Sequence, residues 1–412
     1  MQILLIDEWF PYPPDSGKKI RTYNLLRHLV RAGTVVYLYH GTNEPPSIPK
    51  CLQPGIRLVP VLDERPEKRS RHFYWRVFLN VFQGMPFAAA YASTKAMAAA
   101  LDAVLAENQF DVVACEWTPY AHYLHGIEHP ARLIMSHNIE FLQWKRLCRA
   151  TRNPFVSVLA WLQWHKMARY EAAHFRTVRS LVVVSDTDRS LALSLAPGVD
   201  TCIVPNGVDL EYFRPSDVVP EAKRMVFSAS MDAFSNEDGA CFFVDEILPL
   251  VQAAEPDASF VIVGRCPGKR TLALRRRQGV TVTGSVDDVR PFIAMSGVAV
   301  VPLRVGGGTR LKILEAMAMG IPVVSTSVGA EGLDVRHETH LLVADAPADF
   351  ARQVIRCMRD PVLRDRLIRQ GLGLVRDRYS WEAIGDGLVQ HLRAVLGDVA
   401  TRVAPGRWER PE

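Results

Sequence analysis

Residues 301–329 read VPLRVGGGTRLKILEAMAMGIPVVSTSVG. An apolar run ends at Pro302, three glycines follow at 306–308, and a helical pattern opens near Thr309 and stops at Gly320. A second apolar run, Pro322–Thr326, comes at once. Strand, glycine loop, helix and strand in so short a span make a βαβ unit, the connection that parallel strands require. Such runs lack strict polar–apolar alternation, as fits strands buried on both faces of a parallel sheet.

The same pattern extends in both directions. Toward the amino terminus, strand-like runs fall at 2–7, 34–39, 56–61, 111–115, 132–136, 180–185 and 201–205. In the second half they fall at 224–228, 259–264, 280–283, 298–302, 322–326 and 340–343. Helical patterns separate them, so the reading is α/β with two doubly wound parallel-sheet domains. Residues 1–205 form the first domain, the Pro- and Asp-rich stretch 206–220 a hinge, and 221–378 the second domain. A last helix within 379–398 and a tail at 399–412, expected to lack order, complete the chain, while Ala88–Ala106 reads as one soluble helix. Ligands of open α/β sheets bind outside the carboxyl ends of the strands, so the expected site is a cleft between the two domains.

The 412 residues are 48% hydrophobic and 23% charged, an ordinary globular composition. No apolar run reaches a membrane-spanning length. The amino terminus, MQILLIDEWF, meets Asp7 early and has no basic leader, so a signal peptide is not expected. Seven cysteines, scattered singly, suit a reducing cytosol. The net charge of +5 is uneven: residues 1–205 carry +6 and the remainder −1. Nucleic acid is not an expected partner, since the net charge is modest and no recognition motif appears.

Three loops carry candidate chemistry. At 306–315, glycines let backbone approach a ligand, and the first N–H groups of a helix attract anions. Thr309 suits the N-cap, Arg310 and Lys312 add cationic donors for phosphate, and Glu315 suits the vicinal hydroxyls of a ribose. After the first strand, Gly17 precedes a helix and makes a second place for phosphate or sugar against backbone. After the run 132–136, His137 stands at a strand's carboxyl end, where it can reach a substrate hydroxyl or phosphate. Asp186–Thr187–Asp188 looks like a metal motif, but it opens a helix, and an N-cap with a first-turn acid explains both aspartates. No metal site is expected. Residues 65–82 hold five Lys/Arg against one Glu, and 141–180 hold eight against Glu171 alone, with tryptophans among them. Such basic aromatic stretches suit an anionic membrane surface, and equally a solvated face over core aromatics.

Together the strand-loop Gly17, HNIE at 137–140, VVVSDTD, VPNGVDLEYF at 204–213, the 306–329 loop and SWE at 380–382 resemble the GT-B glycosyltransferases of family 4, also called glycosyltransferase group 1. Within that family the segment FSASMDAFSNEDGACFFVDEILP is most similar to sugar transferases of exosortase-associated exopolysaccharide clusters. The resemblance implies two Rossmann-like domains facing across a cleft, with the last helix crossing back to the first. It implies a metal-independent, retaining hexosyl transfer from a nucleotide-diphosphate sugar to a glycan or lipid-linked acceptor. No cofactor beyond that donor is implied, and the setting is cytoplasmic, including the inner face of the cell membrane. Donor contacts would come from Gly17, Gly307, Gly308, Thr309, Arg310, Leu311, Lys312 and Glu315. The catalytic set would be His137, Arg310 and Lys312. Two departures stand out. The first glutamate of the family's Glu-x7-Glu motif falls on Gly307, and the usual Arg and Lys after the first strand of the second domain give way to the acidic MDAFSNED at 231–238. A nucleotide-sugar epimerase and a non-catalytic nucleotide-sugar-binding protein are the alternative readings.

Overall fold

The structure is a computed structural model that describes residues 1–42, 46–62, 65, 70–151, 153–305 and 310–402. The chain divides into two compact units, Met1–Pro205 with Ile384–Glu412, and Asn206–Ala383.

In the first unit seven strands occur in chain order: β1 (Gln2–Asp7), β2 (Thr34–Gly41), β3 (Ile56–Leu62), β4 (Val112–Cys115), β5 (Arg132–Met135), β6 (Ser180–Val183) and β7 (Asp200–Ile203). They form one sheet in the order β3-β2-β1-β4-β5-β6-β7, every pair parallel. The helices are α1 (Gly17–Ala32), α2 (Arg71–Asn80), α3 (Phe87–Ala92), α4 (Lys95–Glu107), α5 (Glu140–Ala150), α6 (Pro154–Phe175) and α7 (Asp186–Leu195). Leu4, Ile6, Leu38, Val113, Ile134 and Leu181 are fully buried, as the non-alternating runs required.

The second unit holds β8 (Glu221–Ser228), β9 (Ser259–Val263), β10 (Val280–Val282), β11 (Ser296–Val301), β12 (Val323–Ser325) and β13 (Leu342–Val343). Their order is β10-β9-β8-β11-β12-β13, again all parallel. Its helices are α8 (Phe234–Phe242), α9 (Leu248–Ala254), α10 (Lys269–Ala273), α11 (Arg290–Ala294), α12 (Leu311–Ala318), α13 (Ser327–Ala330), α14 (Pro347–Arg359) and α15 (Pro361–Arg378). A π-helical turn, Phe243–Ile247, joins α8 to α9 and seats Phe243 4.4 Å from the Phe260 ring and 6.0 Å from Phe350. All thirteen expected strands are present.

Three local readings change. The run Ala88–Ala106 is two helices, because Thr94 adopts an extended backbone and its hydroxyl accepts from Met97 N, capping α4 afresh. Helix α12 begins at Leu311 with Arg310 in the N-cap position; Thr309 and the glycines at 306–308 lie outside the described residues. The last helix, α16 (Trp381–Arg402), runs through Gly397 and past the expected limit at 398, since one glycine inside a helix costs only about 1 kcal/mol. The end of the expected tail, 403–412, is outside the described residues.

From Ile384 onward α16 packs within the first unit. His28 Nδ1 of α1 lies 3.4 Å from Asp386, His391 lies 2.8 Å from Ser180 Oγ, and Arg179 pairs with Asp398 at 2.9 Å. Gly385 permits this close approach: a Cβ there would stand 2.1 Å from His28 Cγ. Gly385→Ala would stabilise an unencumbered helix by about 1 kcal/mol. Here it should destabilise the protein by about 1–3 kcal/mol through overpacking, measured by urea denaturation.

Candidate functional site

In each sheet the strand order reverses once, and ligands of such folds bind at the carboxyl ends beside that reversal. The first sheet reverses between β1 and β4, the second between β8 and β11.

In the second unit, β11 delivers the chain to the loop before α12, and β8 delivers it to residues 229–238. Lys312, in the first turn of α12, donates from Nζ to Asn236 Oδ1 at 2.8 Å and lies 4.7 Å from the Phe227 ring centre. Burial, aided by Arg310, pulls its pKa down to about 7. Glu315 follows one turn on; burial pushes its carboxyl up to about 7, opposed by Lys312. Arg310 is 8% exposed and directs Nη2 toward Val328 O at 3.4 Å. A lysine and a glutamate near neutrality in one buried turn can bind an anion and hydroxyls with little desolvation left to do.

The acidic segment 231–238 is neutralised locally. Arg304 forks onto Asp238 at 2.7 and 3.0 Å and lies over the Phe242 ring, while Glu237 accepts from Thr271 Oγ1. Arg265, after β9, donates from Nε to Ser230 Oγ at 2.9 Å, and Asn236 Nδ2 bonds Ser230 O at 2.7 Å. A hydrogen-bonded chain therefore runs Arg265–Ser230–Asn236–Lys312. Arg304 and Arg270 reach this segment through Asp238 and Glu237, and Arg265 reaches the adjoining Ser230, where the sequence alone suggested only Arg310 and Lys312.

In the first unit, Asp7 closes β1 and Glu116 follows β4, side by side because Ile6 is in register with Cys115. Asp7 pairs with Lys18 Nζ at 2.7 Å and accepts from Tyr37 OH at 2.6 Å. Glu116 is fully buried and accepts from Thr22 Oγ1 at 2.9 Å. Burial and the neighbouring Asp7 raise its pKa to about 8. His137, carried past the end of β5, places Nε2 3.4 Å from Glu116 Oε1. Burial, with Arg21 and Lys18 nearby, holds its pKa well below the usual histidine value. His137 is therefore a neutral hydrogen-bonding group at neutral pH. Gly17 opens α1 with a φ that any residue could adopt, and a Cβ there would meet nothing within 4 Å. Neither backbone conformation nor packing inside the protein demands that glycine.

The structure thus brings Arg310, Leu311, Lys312 and Glu315 together on one turn, and His137 close to the strand ends whose β1 loop leads to Gly17. Gly307, Gly308 and Thr309 lie outside the described residues. Glu116, Lys18, Asn236 and Arg265 were missed because their partners are remote in sequence. Glu116 and Arg265 could have been flagged by their positions just after strands, and Lys18 and Asn236 by theirs in the first turns of the helices that follow β1 and β8. Glu140 does not serve its own helix start: it accepts from Trp117 Nε1 and Asn138 Nδ2, while Glu171 takes the Glu140 and Phe141 amides. At the Asp-Thr-Asp motif Ser185, not Asp186, is the N-cap, accepting from Asp188 N at 3.1 Å and donating to Asp188 Oδ2 at 2.7 Å. Among the described residues no group of three His, Cys, Asp or Glu is placed to hold a metal.

The Lys312 shift has a measurable sign. Its pKa is about 7 folded against 10.5 for the ordinary side chain, so between those values the unfolded chain binds more protons. Wild-type stability should therefore gain on the Lys312→Met variant as pH rises from 7 toward 10, with a slope approaching about 1.4 kcal/mol per pH unit. Urea unfolding free energies of both proteins at three pH values would show it.

A sequence model of the family described as glycosyl transferases group 1 matches residues 222–360. A GDP-mannose-dependent monoacylated alpha-(1-6)-phosphatidylinositol monomannoside mannosyltransferase of Corynebacterium glutamicum is 27% identical over 214 residues, 46% of this chain and 55% of that protein. The chain thus spans about half the length of that curated relative. Among solved structures, sucrose-phosphate synthase from Thermosynechococcus elongatus superposes with a TM-score of 0.71 at 19% identity, covering 97% of this chain and all (100%) of that one. Anabaena HepE, solved in complex with UDP, gives 0.63 at 11% identity over 96% of this chain and 100% of its own. At these identities the structures carry the fold, which is GT-B, with two Rossmann-like parallel-sheet domains. Residues 222–360, the segment that the glycosyl transferases group 1 model matches, hold Lys312 and Glu315 at the reversal of the second sheet.

Proposed function

We propose that the protein is a metal-independent, retaining glycosyltransferase that moves a sugar from a nucleotide-diphosphate sugar to a glycan or lipid-linked acceptor. The observation that carries this reading is the α12 turn, where buried Arg310, Lys312 and Glu315 stand beside the reversal of the second sheet within the matched domain. Relatives named for GDP-mannose and phosphatidylinositol mannosides, and a structural neighbour bound to UDP, support a nucleotide-sugar donor and a lipid-borne acceptor. A role in exopolysaccharide or cell-envelope glycan synthesis at the cytoplasmic face extends the same reading.

In this mechanism Glu315 accepts from the ribose hydroxyls, and Arg310 and Lys312 face the diphosphate. The bond from the anomeric carbon to the diphosphate oxygen breaks, and its electron pair leaves with the diphosphate. The acceptor oxygen bonds to the same face of the sugar, and its proton passes to the departing phosphate. The two cations meet charge as it grows on the leaving group, which takes the place of a metal; such preorganised donors are each worth roughly 2.7–4 kcal/mol of barrier. An approaching phosphate favours the charged form of Lys312, so donor binding takes up a proton there. Gly17 leaves backbone open to phosphate, and neutral His137 offers a hydrogen bond to a sugar hydroxyl without a competing positive charge.

Calorimetry with UDP and GDP tests the donor site. Loss of a hydrogen bond to a charged carboxylate should cost ~1.5–3 kcal/mol, so Glu315→Ala should bind the preferred nucleotide at least about tenfold more weakly. Unchanged affinity for both nucleotides would refute the ribose assignment. Transfer from the preferred donor should survive EDTA; complete loss, rescued by magnesium or manganese, would refute the metal-free mechanism.

A further inference from the structure

Strands β8 and β9 lie side by side in the second sheet, and the loops that follow them stay joined past the strand ends. Ala229 N donates to Val263 O and Met231 N to Arg265 O, both at 2.9 Å. Between those bonds Gly264 lies so close to the neighbouring loop that a Cβ there would stand 1.7 Å from Ala229 O. Cys266 follows with a φ of 52°, a left-handed conformation that a residue with a side chain keeps only where its surroundings hold it. Arg265 is thus carried on backbone fixed from both sides, at the carboxyl end of β9, with its side chain exposed. Backbone held in this way gathers at segments that clamp ligands.

The guanidinium reaches toward the loop after β8. Nε donates to Ser230 Oγ at 2.9 Å, and Ser230 donates its own proton to Asp232 Oδ1 at 2.6 Å. The Ser230 carbonyl accepts from Asn236 Nδ2 at 2.7 Å, and Asn236 Oδ1 accepts from Lys312 Nζ at 2.8 Å. Hydrogen bonds therefore link a cation on the loop after β9 to one in the first turn of α12. The two stand on opposite sides of the reversal between β8 and β11.

The charge balance shows what the far cation adds. Arg304 meets Asp238 and Arg270 meets Glu237, so the other titratable groups of this chain and the α12 turn are Arg265, Asp232, Arg310, Lys312 and Glu315. Burial brings Lys312 and Glu315 both to about 7, so their average charges cancel near neutral pH. Asp232, held below the usual carboxylate range by the Ser230 hydrogen bond and by Arg265, offsets Arg310. Arg265 is what leaves this set with net positive charge. A diphosphate diester is a dianion, and without Arg265 it would meet a set of groups with no net charge. A guanidinium whose plane is fixed can present its Nη pair bidentately to phosphate oxygens.

We propose that Arg265 grips the diphosphate of the donor from the β9 side of the second unit, across from Arg310 and Lys312. The proposal rests on the transferase reading and adds to it a donor-binding residue from a further loop. It also gives the site a preference, since a diphosphate spans more of the interval between Arg265 and Lys312 than one phosphate does.

Calorimetry on the full-length protein with UDP, GDP, their monophosphates and inorganic pyrophosphate tests this, pyrophosphate being independent of the base. Wild type should bind pyrophosphate, and should bind its preferred nucleoside diphosphate more tightly than the monophosphate. Arg265→Gln should weaken pyrophosphate and diphosphate binding about tenfold and narrow the gap to the monophosphate. Arg265→Lys should recover part of that loss, because it keeps the charge without the planar fork. Asp232→Asn keeps an acceptor for Ser230 and removes a nearby negative charge, so it should tighten diphosphate binding about threefold. A purely structural role for Arg265 would not produce that gain. Arg265 and Asp232 are both exposed, and an unchanged melting temperature without ligand reports an intact fold. Equal diphosphate affinity for Arg265→Gln and wild type would overturn the assignment. So would an Arg265→Lys variant no better than Arg265→Gln together with unchanged binding by Asp232→Asn. A wild type that binds neither pyrophosphate nor either nucleoside diphosphate would instead refute the transferase reading itself.

Discussion

Parallel strands cannot be joined by tight turns, and that constraint organises this protein. Each strand must be followed by a crossover, so every strand delivers its successor loop to the same edge of the sheet. Where the winding reverses direction, two of those loops splay apart and leave their strand ends uncovered. Here the reversals fall between β1 and β4 and between β8 and β11. Asp7, Glu116 and His137 gather at the first, and Asn236, Arg310, Lys312 and Glu315 at the second.

What the reversals create is a place where titratable side chains are held out of water at the carboxyl edge of a sheet. In the core of either sheet such groups would be too costly, and on an open helix face they would keep ordinary titration behaviour. At the strand ends they are desolvated, and strand ends beside a reversal are where ligands of such sheets bind. Lys312 and Glu315 are both brought near neutrality by this desolvation, and Glu116 and His137 are held uncharged over much of the neutral range. The acidic segment 231–238 does not spoil the second site, because Arg304 and Lys312 each engage part of it.

The exposed face of α2 and α6 obeys a different economy. Nothing in the sheet architecture requires rings on the outside of α2, since Phe73 and Phe87 already satisfy the inward side. The side chains that fix α2 to α6, Lys166 and Gln163, are polar and spend themselves on the Asn80 turn. Trp75, Phe78 and Phe82 are thus left exposed on the outer side of α2 and the turn after it, in contact with one another.

The sequence by itself determined the strands, their burial and their class. Non-alternating Val- and Ile-rich runs separated by helical patterns admit little besides parallel sheets, and all thirteen lie where the runs placed them. It also marked Arg310, Lys312 and Glu315, because they share one helical turn and their proximity is set by local geometry. Helix ends were less legible: Thr94, Ser185 and Gly397 turn on whether one side chain or a tertiary contact supplies a cap. What only the tertiary structure decided was every pairing between loops. Arg265 reaches Ser230, Glu116 reaches Thr22 and His137, and Lys166 reaches Asn80, each across tens of residues and through strand order that no local pattern encodes. Desolvation, and with it the protonation state of Glu116 and His137, is a property of that assembled environment and not of the residues themselves.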